Sequence, residues 1–166
     1  MKKLALILLF ALAAPARVLE TQQQALASVF SGSTMLRQQF FLSAEQLERA
    51  KKEAGFAFND ALVIRYTGSN GMVAYFDSHR VRTEAETVMI VVDAKGEIAR
   101  IDILSFNEPT DYFPKRRWLD QFLGKHLDND LSLKGAIRPM SGASLTGTAI
   151  VNASRKILAI HHVLGK

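Results

Sequence analysis

The segment from Ser141 to Gly147 holds residue types that could do chemistry. It reads Ser-Gly-Ala-Ser-Leu-Thr-Gly and stands directly before a predicted helix. A helix N-terminus offers unpaired backbone N–H groups and about half a positive charge, so it suits a phosphate group. The glycine and the alanine let a bulky group approach the backbone closely. The hydroxyls of Ser141, Ser144 and Thr146 can hydrogen-bond to that phosphate or be esterified by it.

Other interpretations of the segment are weighed against this one. Ser141 or Ser144 is an ordinary helix N-cap if the small residues serve only tight packing. The segment is not a Walker phosphate loop, because the Gly-Lys-Ser/Thr ending is missing. An exported hydrolase using Ser144 would need glycines two residues before and after the serine, and Thr146 occupies the second place. No His/Asp partner for such a hydrolase is evident in the sequence either.

The run from Ser141 to Thr146 resembles the flavin-attachment motif of the FMN-binding domain family. This family includes the G subunit of the Rnf electron-transport complex and the C subunit of the sodium-pumping NADH:quinone reductase. Its pattern is Ser/Thr-Gly-Ala-Thr/Ser, an apolar residue and Ser/Thr. The resemblance implies that Ser144 carries FMN through a phosphoester, which a dedicated flavin transferase forms outside the cytoplasm from FAD. The implied flavin-binding residues around Ser144 are Ser141, Gly142, Ala143, Leu145 and Thr146.

A weaker resemblance lies upstream and extends the match to roughly residues 60–165. Phe106 to Thr110 occupies the place of a Glu-Thr-Pro-type loop in the family, and it contains Glu108. Tyr112 and Trp118 follow, as in small soluble members. Aromatic faces suit a flat flavin ring, so Tyr112 and Trp118 are predicted to contact it. Glu108, which could hydrogen-bond to the flavin, completes the predicted site. A core position for Trp118 and a plain surface position for Glu108 stay open.

Two departures from the family pattern bear on attachment. The acceptor is a serine, where threonine is commoner, and Arg138 stands three residues before Ser141, where the family usually has an acidic residue. The arginine could weaken recognition by the transferase. It therefore favours a rival interpretation, in which the chain is a binding or interaction module that keeps the fold without flavin.

The beginning of the chain predicts export. Lys2 and Lys3 precede an apolar run from Leu4 to Ala14, and Ala14-Pro15-Ala16 resembles a signal-peptidase site. The run is shorter than the roughly 20 residues that span a bilayer. We expect cleavage after Ala16 and a periplasmic or otherwise extracytoplasmic protein, with an uncleaved anchor as the alternative.

Composition narrows the function classes. The chain has 166 residues, no cysteine and a formal charge of +5, so disulfides, thiol nucleophiles and cysteine-ligated metals are excluded. The basic residues are spread out and do not indicate nucleic-acid binding. Lys115 to Arg117 could dock an acidic redox partner or simply face solvent. His161 and His162 are adjacent on a helix, so they diverge and predict no metal site.

The patterning predicts an α+β domain, in which an antiparallel sheet of two hairpins is flanked by helices. Residues 1–16 are the signal peptide, 17–60 an N-terminal helical segment and 61–166 the FMN-binding core. About four strands are expected between Ala61 and Phe106, with Ser78 to Arg82 as a loop or strand end. Ser43 and Gln46 form a capping-box pattern. The long final helix should bury Ile150, Ile157 and Ile160, and its outward residues should be Asn152, Arg155 and Lys156.

These features together predict an exported FMN carrier that passes electrons between extracytoplasmic redox proteins or a membrane reductase. The flavin supplies the redox chemistry, so the chain needs no catalytic residue of its own and is not expected to be a free-standing enzyme. Asp77 with His79 hints at acid–base work, but nothing in the sequence completes a triad.

Overall fold

The computed structural model of the chain describes residues 18–165; the predicted signal peptide lies outside the described residues. The elements are α1 Gln22–Val29, β1 Met35–Phe41, α2 Ala44–Ala54, β2 Leu62–Gly68, β3 Val73–Val81, β4 Glu84–Val92, β5 Ile98–Phe106, a 3₁₀ turn Thr110–Tyr112, α3 Arg116–Leu119, a 3₁₀ turn Asp120–Phe122 and α4 Ser144–Leu164. The main helices, α1, α2 and α4, each have at least eight residues, and two 3₁₀ turns flank the short helix α3. The predicted α+β class is confirmed.

The strands form one antiparallel sheet in the order β1-β2-β3-β4-β5. The predicted strands between Ala61 and Phe106 are β2 to β5, and β1 adds a fifth from the N-terminal segment, where residues 35–42 were open to an extended conformation. Of the two alternatives for Ser78 to Arg82, a loop or a strand end, the strand end is confirmed, because β3 continues to Val81 and pairs with β4 as far as Glu84. Strand β2 pairs with β3 over a shorter length than β3 pairs with β4, at only two register positions.

Helices cover the two faces of the sheet. Helix α1 packs on one face, and α2 and α4 pack on the other. The capping box at α2 is confirmed, since the Ser43 hydroxyl accepts a 3.1 Å hydrogen bond from the Gln46 N–H and the Gln46 side chain accepts one from the Ser43 N–H. Ile150, Ile157 and Ile160 of α4 are buried as predicted.

One prediction for the outer face of α4 is wrong. Lys156 is buried, and its ammonium group is ion-paired with Asp77 and Asp60. Arg155 is half-buried and donates hydrogen bonds to the carbonyl groups of Ala54 and Asp128. Helix α4 packs on both α2 and β3, so its buried surface is wider than one stripe. In the part of the chain from residue 18 to residue 165, no helix combines the length and the apolar character needed to cross a bilayer.

Candidate functional site

Helix α4 begins without a side-chain cap. The N-cap residue is Ala143, which has no hydrogen-bonding side-chain atom, and the first bond of the helix runs from the Gly147 N–H to the Ala143 carbonyl. Ser144 is the first residue of the helix, so neither Ser141 nor Ser144 is its N-cap. The N–H groups of the first turn therefore have no partner within the helix. They can receive an anion, and the positive end of the helix dipole favours one there.

The predicted motif divides into exposed and buried residues. Ser141, Gly142, Ser144 and Leu145 are exposed, whereas Ala143 and Thr146 are buried. Among residues 18–165 the Ser144 hydroxyl has no hydrogen-bond partner, although the Ser144 carbonyl accepts one from Thr148. A free, exposed hydroxyl on an uncapped helix can react with or bind a phosphate.

Gly142 gives the backbone its turn into the helix. Its φ of +76° lies in the left-handed region, which favours glycine. A Cβ atom built at this position would meet nothing within 4 Å. The backbone beside Ser144 is thus open to a group approaching from solvent, as the motif predicted.

An open cleft of about 980 Å³ adjoins the motif. This volume lies at the upper end of the roughly 300–1,000 Å³ found for small-molecule sites. Ser141 and Ala143 of the motif line it, together with the predicted residues Tyr112 and Trp118. The remaining lining residues are Asp111, Phe113, Lys115, Arg117, Gln121, Arg138 and Met140.

Trp118 both packs in the fold and lines the cleft. Its ring lies 5.3 Å from that of Phe122 in an edge-on arrangement, and its indole N–H donates a 2.7 Å hydrogen bond to the carbonyl of Arg138. The N–H of Arg138 donates in turn to the side-chain oxygen of Gln121, at 2.9 Å. The backbone leading into the motif is therefore fixed to the helical segment that carries the aromatic residues.

Glu108 stands apart from this arrangement. It is 9% exposed, so the plain surface position is wrong, and it is not among the residues that line the cleft. A contact between Glu108 and a flavin stays a prediction.

The cleft is mainly basic. Lys115, Arg117 and Arg138 line it, with Asp111 as the single acidic residue. Within the described range none of the three cations is ion-paired with a carboxylate. Arg116, between two of them in sequence, is different, because it is ion-paired with Asp102 and Asp120. All three residues from Lys115 to Arg117 are exposed, but Arg116 is held by carboxylates and its two neighbours are not.

Sequence reasoning did not assign Gln121 or the three cations to the site. The signal for Arg138 was its place three residues before the motif. Gln121 gave no signal, because its role depends on a hydrogen bond to a residue 17 positions away.

A second group of charged residues lies between α4 and the sheet. His79 binds two carboxylates, with Nδ1 at 2.8 Å from Asp77 and Nε2 at 3.1 Å from Glu86. Asp77 also pairs with Lys156, which reaches Asp60 at 2.8 Å. Both imidazole nitrogens are engaged, so His79 is a partner in ion pairs and lacks the free nitrogen that acid–base work would need. We call these five residues the buried charge cluster.

The pKa values in the buried charge cluster follow from these pairs. Burial alone would lower the pKa of His79, but the hydrogen bonds to Asp77 and Glu86 raise it to about 9. Burial would raise the pKa of Asp77, yet the hydrogen bond from His79 and the charge of Lys156 lower it overall. The pKa of Lys156 is raised, because its two carboxylate partners outweigh burial. The histidine is therefore cationic at neutral pH.

The residues beside the cleft fit FMN. The free hydroxyl and uncapped helix suit a phosphate, and the adjoining cleft offers aromatic residues for a flat ring and cations for its negative charge. No match to the chain was found among curated proteins or solved structures. Residues 84–159 match the model of the FMN-binding domain family, over β4, β5, the cleft and most of α4. The narrower resemblance to the Rnf and sodium-pump subunits stays a prediction. The region from residue 84 to residue 159, with the whole predicted motif inside it, is therefore similar to an FMN-binding domain.

Proposed function

We propose that this protein is an exported FMN carrier, with FMN attached by a phosphoester to Ser144. It passes electrons between redox partners outside the cytoplasm. The observation that carries the proposal is the exposed, unbonded Ser144 hydroxyl at the uncapped start of α4, inside a region similar to an FMN-binding domain.

The chain's own residues bind and orient the cofactor. The free N–H groups of the first helical turn and the Ser141 hydroxyl hold the phosphate, and Gly142 leaves room for it. The cleft beside Ser141 receives the ring, with Tyr112 and Trp118 as contact surfaces. Flavin supplies the hydride and electron chemistry, and the protein supplies attachment, orientation and electrostatics.

Attachment transfers the FMN group of FAD, through its phosphorus, to the Ser144 hydroxyl. The Ser144 oxygen forms a bond to the FMN phosphorus of FAD, the bond from that phosphorus to AMP breaks, and AMP leaves. The hydroxyl proton goes to a base of the flavin transferase, which also supplies the metal ion. Export precedes the reaction, so the mature chain should begin at Arg17 or within a few residues of it.

The test is the intact mass of protein co-produced with a flavin transferase and FAD in the export compartment. The wild type should be yellow and carry one FMN. Ser144→Ala should fold, be exported and lose the modification, whereas Ser144→Thr should be modified at least as well as the wild type. Ser141→Ala is the matched control and should keep at least partial modification. Wild-type protein without FMN at Ser144 would contradict covalent attachment.

The alternative is an interaction module that has the fold but carries no covalent flavin. The observation favouring it is Arg138, whose exposed side chain lines the cleft where the family usually has an acidic residue. Arg138→Asp distinguishes the two. If the acidic residue aids recognition by the transferase, FMN occupancy should rise in this variant.

A further inference from the structure

Arg138 differs from the other cations of the cleft in how its backbone is held. Its N–H donates to Gln121 and its carbonyl accepts from Trp118. Lys115 and Arg117 lie on the helical segment itself, where the Lys115 carbonyl accepts hydrogen bonds from the N–H groups of Trp118 and Leu119. The backbone of Arg138 is instead fixed from outside its own segment, beside Trp118, and its side chain lines the cleft.

The positive charges around the site outnumber the single negative charge of a tethered phosphate. A phosphodiester carries one negative charge, and the free N–H groups at the start of α4 already face that position. Three cations and one carboxylate line the adjoining cleft. A second negative charge, away from the phosphate, would balance them.

We propose that Arg138 faces the flavin ring, not the phosphate, and stabilises the negative charge of the reduced ring. This inference rests on the proposed function. A flavin ring that takes two electrons and one proton from a reductant gains one net negative charge. A guanidinium is always protonated, so its fixed charge beside the ring favours the reduced ring over the oxidised one.

Trp118 and Gln121 are positioning residues in this proposal, because they act through the backbone of Arg138. Trp118→Phe keeps an aromatic ring in the cleft but removes the indole N–H donor. Its effect on the redox potential should be smaller than that of Arg138→Gln. In the double variant the two effects should not add, since both remove the same fixed charge from its place.

The experiment compares the affinities of the reduced and oxidised ring. FMN-loaded protein is titrated with dithionite to obtain its midpoint potential. In parallel, free FMN in both redox states is titrated into Ser144→Ala protein, which cannot be modified at that position. Arg138→Gln should lower the potential and reduce the preference for reduced over oxidised FMN by roughly tenfold. Arg138→Lys should restore part of the effect.

The matched control is Arg37→Gln, which removes one exposed charge from β1 at the opposite edge of the sheet. It should leave the potential and the preference unchanged. An unchanged potential in Arg138→Gln, together with weaker binding of FMN but not of riboflavin, would place Arg138 at the phosphate and overturn the proposal.

The outcomes separate this proposal from the proposed function. If wild-type protein is never modified but Ser144→Ala binds reduced FMN with an Arg138-dependent preference, covalent attachment fails and the inference holds. If FMN is attached and the potential ignores residue 138, the inference fails and the carrier stands. If no flavin binds in either experiment, both are wrong.

Discussion

Positively charged side chains occupy two contrasting regions of this molecule. In the buried charge cluster, His79 and Lys156 each contact two carboxylates between α4 and the sheet. In the cleft, Lys115, Arg117 and Arg138 contact none within the described residues. Paired charges in a buried setting hold the fold, because removing one partner leaves the other uncompensated. Unpaired charges along an open cleft contribute little to stability and are available to a ligand.

The largest expected effect comes from breaking a pair inside the buried cluster. Asp77→Asn keeps the size of the side chain but leaves His79 and Lys156 with one carboxylate fewer. The free energy of unfolding should fall by about 3–5 kcal/mol, as for other broken buried pairs. Urea unfolding measures this.

Asp60→Asn is the matched control, because Asp60 binds the same Lys156 but its side chain is 61% exposed. It should cost less than about 1 kcal/mol. Equal losses in the two variants would mean that burial does not distinguish the pairs.

The next effect is a dependence of stability on pH. The pKa of His79 is raised to about 9 in the folded protein, against about 6.5 when unfolded. The stabilisation is complete below pH 6.5 and is lost as pH rises through 9, by roughly 3 kcal/mol at most. The groups facing the imidazole are Asp77 and Glu86, with Lys156 and Asp60 behind them.

Urea unfolding between pH 6 and pH 10 measures this loss. His79→Gln should flatten the profile in that window. The control is His126→Gln, since His126 is largely exposed and, among residues 18–165, is ion-paired with Asp128 alone; the profile of this variant should follow the wild type. A falling profile that persists in His79→Gln would assign the dependence to another group.

The smallest effect is expected in the cleft. Arg117→Gln should change the free energy of unfolding by no more than about 0.5 kcal/mol, because Arg117 makes no ion pair there. Its neighbour provides the comparison. Arg116 donates to the Ile101 carbonyl at 3.1 Å and pairs with Asp102 and Asp120. Arg116→Gln should therefore cost about 1 kcal/mol. Thermal unfolding of the two variants side by side tests the difference.

The parts of the fold that depend on neighbouring residues could be predicted from the sequence. The capping box of Ser43 and Gln46 is an example, because its bonds join residues three positions apart. The outer half of β3 stayed open between a loop and a strand end, because its residues are largely polar and its identity depends on pairing with β4. Lys156 was wrongly placed in solvent, because its ion pair with Asp77 joins residues far apart in the chain.

The candidate site shows the same division. The attachment motif is one continuous segment, so residue types alone predicted a phosphate site there. The aromatic residues Tyr112 and Trp118 were anticipated from resemblance and do line the cleft. The clamp on Arg138 was not, because Trp118 and Gln121 reach it across 20 and 17 residues.

The bare start of α4 has a consequence for how well the fold is optimised. Helices α1 and α2 both begin with a complete capping box, at Thr21 and Ser43, whereas the longest helix has Ala143 as its N-cap residue and no capping box. A Ser or Asp at residue 143 would gain about 1 kcal/mol in most helices, but its oxygen would occupy the N–H groups that a phosphate needs. Under the proposed function, the chain forgoes stability at the start of its last helix, and in return those N–H groups stay free for a phosphate.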